Sequence, residues 1–165
     1  MTIETDHLVA IGRLQSRYAD VITRRAWEEL AELFRPDTVV HLDTVTAPPR
    51  DLVGPEGFLA VIPGAMARFD HFTFVILNAV SELDPGWDDA GPGATPSAHG
   101  RIFMCEIRHE PERDAWSTAH GLYQDRYVLL DGRWWIAERH YRSLARTGPD
   151  EAILGLPPGL GPLGR

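Results

Sequence analysis

Hydrophobic positions in the N-terminal stretch recur at helical spacing. Leu8, Ile11, Leu14, Tyr18, Val21 and Ile22 fall on one side, and Arg13, Arg17, Asp20 and Arg24 on the other. This predicts an amphipathic first helix with Tyr18 on its buried stripe. Trp27, Leu30, Ala31, Leu33 and Phe34 predict a second, short helix, closed by Pro36, whose ring cannot continue it. Residues 38–45 read as a strand. After the turn-prone Ala47-Pro48-Pro49, residues 55–69 set Phe58, Leu59, Ile62, Met66 and Phe69 on one face of a third helix, kinked at Pro63. From there the period changes to two. Residues 72–80, 101–109, 118–130 and 134–142 are rich in β-branched and aromatic side chains and predict the strands of a strongly curved antiparallel sheet. Asp131-Gly132 marks a tight hairpin, and the Pro/Gly-rich stretch 84–97 a long irregular connection.

Helices followed by a run of strands define an α+β fold with the helices segregated on one face of the sheet. A bent sheet of this kind is a cone with an open mouth, and the pocket lies between the helices and the concave face. The chain of 165 residues is the size of one domain, expected over 1–147, followed by a Gly/Pro-rich tail over 148–165. The tail keeps Ile153, Leu154, Leu156 and Leu160, which would suit packing over a cavity or on a neighbouring subunit; a disordered tail is the alternative.

Composition removes several classes of function. Apolar residues make up 44% of the chain without a run long enough to span a bilayer, so a membrane protein is not expected. The 16 basic residues are all arginine, which excludes lysine Schiff-base catalysis and a lysine-based phosphate loop. A net charge of −8 with scattered arginines argues against nucleic acid as a partner. The single cysteine, Cys105, allows no intramolecular disulfide and no thiolate zinc cluster. The N-terminus lacks a basic segment followed by an apolar one, so a cytoplasmic protein is expected.

Glu106 interrupts the apolar run Ile102-Phe103-Met104-Cys105, and strand alternation puts it on the face of Ile102 and Met104. A carboxylate set against apolar side chains calls for a partner or a purpose. His71, where the third helix hands over to a strand, alternates with Thr73, Val75 and Leu77 and is a candidate general base; the competing reading is a helix-terminal histidine. On a later strand Gly121, Tyr123, Asp125 and Tyr127 share one face. If that face lines the cavity, Gly121 opens space and Tyr123 adds a polar tip. Trp27 and Met104 complete the expected substrate-contacting set. Glu138, Arg139 and Arg142 read as a solvated run. His41-Leu42-Asp43, with His140 as a conceivable third ligand, has the spacing of a facial-triad metal site, but spacing alone is weak evidence and no metal or other cofactor is expected.

Taken in order, Arg17-Tyr18, Ala26-Trp27-Glu28, Leu33-Phe34-Arg35-Pro36-Asp37, His71-Phe72, Gly100-Arg101 before Glu106, Gly121-x-Tyr123-x-Asp125-x-Tyr127 and Asp131-Gly132-x-Trp134-x-Ile136 resemble the SnoaL-like branch of the nuclear-transport-factor-two-like superfamily. The resemblance runs to about Arg146 and implies a cone-shaped, cystatin-like α+β barrel with a deep hydrophobic cavity, usually without a cofactor. His71-Phe72 resembles the pair of scytalone dehydratase and bile acid 7α-dehydratase, whose histidine is the base. Tyr18 and Glu106 resemble the first-helix tyrosine and the catalytic aspartate of the latter. The first-helix aspartate that orients the histidine in both is Thr23 here. The implied function is cofactor-independent proton transfer on a bulky apolar substrate of polyketide, terpenoid or steroid type, with dehydration, isomerisation or cyclisation as the outcome. His71, Tyr18 and Glu106 would be its catalytic groups. The missing aspartate favours the alternative, a non-catalytic module that binds an apolar ligand. Phe103, Ile107 and Leu122 on the outer face of the sheet predict a homodimer or higher homo-oligomer.

Overall fold

The computed structural model describes residues 2–88 and 95–163, so part of the expected irregular connection 84–97 lies outside the described residues. Helix α1 (Ile3–Arg24) begins at Thr2, whose hydroxyl oxygen accepts from the Thr5 amide, and carries Glu4 and Asp6 in its first turn, where they complement the helix dipole. It buries Ile11, Leu14, Tyr18, Val21 and Ile22 as the periodicity predicts, and also Gln15. A 3₁₀ segment, Trp27–Glu32, replaces the expected second helix and delivers the chain into strand β1 (Phe34–Asp43). The strand therefore starts before Pro36, which sits where the ladder shifts register between Phe34 and Val39 and needs no amide of its own. A short strand β2 (Arg50–Val53) follows, which the sequence did not signal.

The expected third helix over 55–69 is two short helices, α2 (Gly54–Leu59) and α3 (Ile62–Met66). Pro63 lies in the first turn of α3, where a missing amide costs nothing, so it starts a new helix rather than kinking a continuous one. Phe58, Met66 and Phe69 still reach the core.

Strands β3 (His71–Leu83), β4 (Ser97–Glu110), β5 (Ala115–Leu130) and β6 (Arg133–Arg146) form the wall, with a two-residue strand β7 (Ala152–Ile153) beside β6. The order across the sheet is β2-β1-β6-β5-β4-β3. Neighbouring strands pair antiparallel except β1 with β6, which run parallel, so the sheet is mixed rather than purely antiparallel. It stays open, with β2 and β3 as edges. Bulges between Ile76 and Asn78, His120 and Gly121, and Arg126 and Tyr127 bend it around α1. Asp131 and Gly132 both have positive φ, 52° and 74°, as the predicted tight hairpin requires.

The core lies between α1 and the concave face, where Tyr18, Phe34, Phe74, Ile102, Met104, Tyr123, Tyr127 and Ile136 meet. On the outer face Leu122 is already buried within the chain, leaving Phe103 half-buried and Ile107 exposed. The tail also runs over the outer face: β7 pairs with the end of β6, and the Gly161 carbonyl accepts a hydrogen bond from Arg101. No helix among the described residues is long and apolar enough to cross a membrane.

Candidate functional site

The site is built on a bulge. In β6, Trp134 and Ile136 point inward, and strict alternation would send Arg139 to solvent. The register instead skips Ala137, pairing Ile136 with Tyr127 and Glu138 with Arg126, so the inward set continues as Arg139, Tyr141 and Ser143. Arg139 is completely buried. Its Nε donates to Asp125 Oδ1 at 2.8 Å, and Nη2 donates to Asp125 Oδ2 at 2.6 Å and to Gln15 Oε1 at 2.7 Å. Asp125 Oδ2 also accepts from the Tyr127 hydroxyl (2.8 Å) and from Gln15 Nε2 (2.9 Å). Burial works against the charge on Arg139, but the Asp125 carboxylate outweighs it and holds the guanidinium above its ordinary pKa. The same guanidinium lies 4.2 Å from the ring centre of Tyr18 and 4.1 Å from that of Tyr123, and Nη1 has no hydrogen-bond partner among the described residues.

Tyr18, carried inward by the apolar stripe of α1, meets Tyr123 of β5 with their hydroxyl oxygens 3.4 Å apart. Phe74 stacks on the Tyr123 ring, its centre 5.9 Å away. Burial pushes both phenol pKa values up, so each stays a neutral donor at physiological pH.

Two hollows adjoin this cluster beneath α2 and α3, and Ile62, Ala65, Glu106 and Arg108 line both. The smaller, about 180 Å³, is walled by Tyr18, Phe58, Phe69 and Phe72. The larger, about 410 Å³, is walled by Leu42, Val61 and Tyr141 but also by Arg50 and Arg146. Glu106 therefore stands between a smaller hollow walled mainly by aromatic rings, with Arg68 and Arg108 at its edge, and a larger one that Arg50 and Arg146 also line. Its Oε2 lies 3.4 Å from Arg108 Nη1. Burial raises its carboxyl pKa, and the nearby Arg108 and Arg146 offset part of that rise. Tyr141 is pushed up to about 12 by burial, with the Glu106 charge adding to the effect. The arrangement offers a proton-exchanging carboxyl, a phenol donor and a guanidinium to one small apolar space.

Of the residues singled out in the sequence, Tyr18 and Glu106 line the same hollow, and Tyr123 supports Tyr18 from behind. Met104 is completely buried in the wall. Gly121 does not open space, because a Cβ there would lie 2.5 Å from the Tyr141 ring and 2.8 Å from Met104 Sδ; these side chains fill the gap. Trp27 is half-buried against the core and lines neither hollow. His71 does not join the site. Phe72 and Phe74 take the concave side of β3, and alternation turns His71 outward, where it is exposed, contacts the Thr73 hydroxyl at 3.1 Å and leans on Trp116. The inward face of β3 belongs to its larger apolar residues. Thr23 Oγ1 accepts a hydrogen bond from the Phe74 amide at 3.0 Å.

The residues that sequence reasoning missed are Arg139, Gln15, Arg108 and the cationic rim. Gln15 was legible, since it lies within the apolar stripe of α1; Arg139 was hidden by the bulge.

Helices packed on the concave side of a curved, open mixed sheet are the architecture of the cystatin-like, nuclear-transport-factor-two-like fold. The sequence profile of the SnoaL-like domain matches residues 4–140, and the chain belongs to that family. A scytalone dehydratase-like protein of Novosphingobium aromaticivorans DSM 12444 has a similar structure, with a TM-score of 0.72 at 22% identity over 96% of this chain and 97% of that one. A type 2 hexachlorocyclohexane dehydrochlorinase (LinA) superposes with a TM-score of 0.71 at 17% identity over 94% and 97% of the two chains. LinA-type3 of Novosphingobium barchaimii LL02 gives 0.68 at 17% over 93% and 97%. At these identities the likeness establishes the fold. No curated protein matches the sequence.

Proposed function

We propose that the protein is a small enzyme that moves protons on a bulky apolar substrate, using its own side chains, with dehydration, isomerisation or cyclisation as the outcome. One observation carries this reading: Glu106, its carboxyl made reluctant to ionise by burial, faces both hollows beside Tyr18. In this scheme the ionised Glu106 removes a proton from carbon next to a carbonyl, and the electron pair moves to the carbonyl oxygen. The Tyr18 hydroxyl, backed by Tyr123 and the Arg139 charge, donates to that developing oxyanion. Protonated Glu106 then delivers the proton either to a different carbon of the conjugated enolate, shifting the double bond and completing an isomerisation, or to a hydroxyl leaving from the β-carbon, releasing water. Arg50, Arg108 and Arg146 in the larger hollow would hold an acidic or enolic oxygen of the substrate. The role first expected of His71 passes to Glu106.

Solvent-deuterium incorporation tests the scheme on a panel of apolar ring ketones and β-hydroxy ketones, read by mass. The parent should exchange or dehydrate at least one of them, and Glu106→Gln should lose roughly 10²–10⁴-fold in rate. Equal rates in parent and variant would remove Glu106 from the mechanism.

The Glu106–Arg108 ion pair and the outward His71 favour a second reading, in which the hollows hold an apolar ligand unchanged. A compound that raises the melting temperature and is recovered with its mass and deuterium content unaltered supports that reading instead.

A further inference from the structure

The parallel pairing of β1 with β6 sets His41 directly beside His140, and Glu138 lies two residues before His140 on the same outer face. The two imidazoles stack with centres 4.2 Å apart. His41 Nε2 and His140 Nε2 each lie 3.1 Å from the same oxygen, Glu138 Oε1. All three potential ligand atoms fall within 4.8 Å of one another. On the far side of His41, Nδ1 lies 2.7 Å from Asp51 Oδ1 of β2.

We propose that His41, His140 and Glu138 form a binding site for a divalent metal of the zinc type on the outer face of the sheet, with Asp51 orienting His41. Tetrahedral zinc at about 2.0–2.1 Å from nitrogen and oxygen ligands separates those ligands by about 3.4 Å, close to the 3.1 Å between each imidazole Nε2 and Glu138 Oε1. Both nitrogens of His41 face carboxylate oxygens. A proton on Nδ1 satisfies Asp51 and leaves the Nε2 lone pair free on the side of Glu138 Oε1. This is the carboxylate–histidine–metal arrangement that fixes the tautomer of a ligating imidazole. Two imidazoles and one carboxylate form the borderline N/O donor set that suits zinc better than magnesium or calcium. Side-chain exposures of 33%, 36% and 54% for His41, Glu138 and His140 leave entry open and a fourth position free for water. Asp43, which spacing alone would have made a ligand, is held by Arg142 at 2.5 Å. Arg126 Nε, 3.6 Å from Glu138 Oε2, approaches the carboxylate oxygen that the metal does not need. The site lies on the face of the sheet opposite the hollows, whose wall includes the adjacent Leu42 and Tyr141, and would act as a clamp joining β1, β2 and β6.

Titration of the untagged full chain with Zn²⁺, by calorimetry and by melting temperature, tests the site, with Co²⁺ visible absorption as a geometric readout. The expected result is one metal per chain, a raised melting temperature and the intense d–d bands of low-coordinate cobalt. His140→Ala and Glu138→Gln should abolish stoichiometric binding, and Asp51→Asn should weaken it by about 10–100-fold. In metal-free buffer these exposed substitutions should keep the parent's circular dichroism, so loss of binding will not reflect loss of fold. Absence of one-to-one binding by the parent, or binding that survives in His41→Ala/His140→Ala, would overturn the assignment.

Discussion

Arg139 and Asp125 are joined by two hydrogen bonds, 2.8 Å and 2.6 Å long, with both side chains fully shielded from solvent. The pair is held from the helix side by Gln15 and from the sheet side by Tyr127, so it ties α1 to the concave wall at the floor of the cone. It also sets a positive charge between the rings of Tyr18 and Tyr123, the phenols nearest the proposed chemistry.

Breaking this pair on one side should be costly, because the remaining charge stays buried and unmatched. Arg139→Met is expected to lower unfolding stability by about 3–5 kcal/mol in urea titration. The double variant Arg139→Met/Asp125→Leu removes both charges and should cost clearly less than the two single changes added together. Additive losses would mean that the two residues are not energetically coupled.

The legibility of this molecule in its sequence follows the regularity of its strands and helices. Where a period runs unbroken, the buried face is legible: α1 buries five of its six stripe residues, with Leu8 half-buried and Gln15 added, and Tyr123, Asp125 and Tyr127 share the inward face of β5. Where a bulge or a choice of face intervenes, it is not. The skipped Ala137 turned Arg139 from an expected solvated residue into the most buried charge, and nothing in the local sequence marks that skip. His71 failed for a different reason. Alternation groups it with Thr73 and Val75, and that group turns outward because the larger apolar pair Phe72 and Phe74 takes the concave face. Glu106 shares the face of Ile102 and Met104, both buried, and lines the two hollows on that side. The parallel docking of β1 on β6 is a long-range choice that no local pattern specifies.

The outward position of His71 gives a direct test. His71→Ala should change stability by no more than about 0.5 kcal/mol, the usual range for a surface substitution. It should also leave turnover or ligand binding at the parent level. Tyr18→Phe should instead impair whichever of these the protein performs. A large loss of turnover in His71→Ala would place the imidazole in the mechanism after all.

Gly121 is required by close packing. A methyl group there would meet the Tyr141 ring and Met104 Sδ at 2.5 Å and 2.8 Å. Gly121→Ala should therefore destabilise the chain by about 1–3 kcal/mol, the range for overpacking a filled core. Because Tyr141 also walls the larger hollow, its displacement should alter ligand affinity as well. An unchanged denaturation midpoint would show that the two side chains move aside freely.

Glu106 links stability to pH with a definite sign. Burial raises its carboxyl pKa in the folded chain above the value it takes when unfolded, despite Arg108 and Arg146 nearby. Between those two values the folded state binds more protons than the unfolded state, so this residue's contribution to stability falls as pH rises. Below the unfolded value both states are protonated and the contribution is fully present. Above the folded value both are ionised and it is lost. Glu106→Gln removes this titration while keeping the shape of the side chain. The melting temperature of the variant minus that of the parent should therefore increase steadily as pH is raised from the acid side of the ordinary carboxyl range, and level off once the folded carboxyl has ionised. The rate of any Glu106-dependent proton abstraction should rise through the same interval, since only the carboxylate can act as base. A difference that stays flat with pH, or that decreases, would show that Arg108 and Arg146 outweigh burial and that Glu106 is a fixed ion-pair partner.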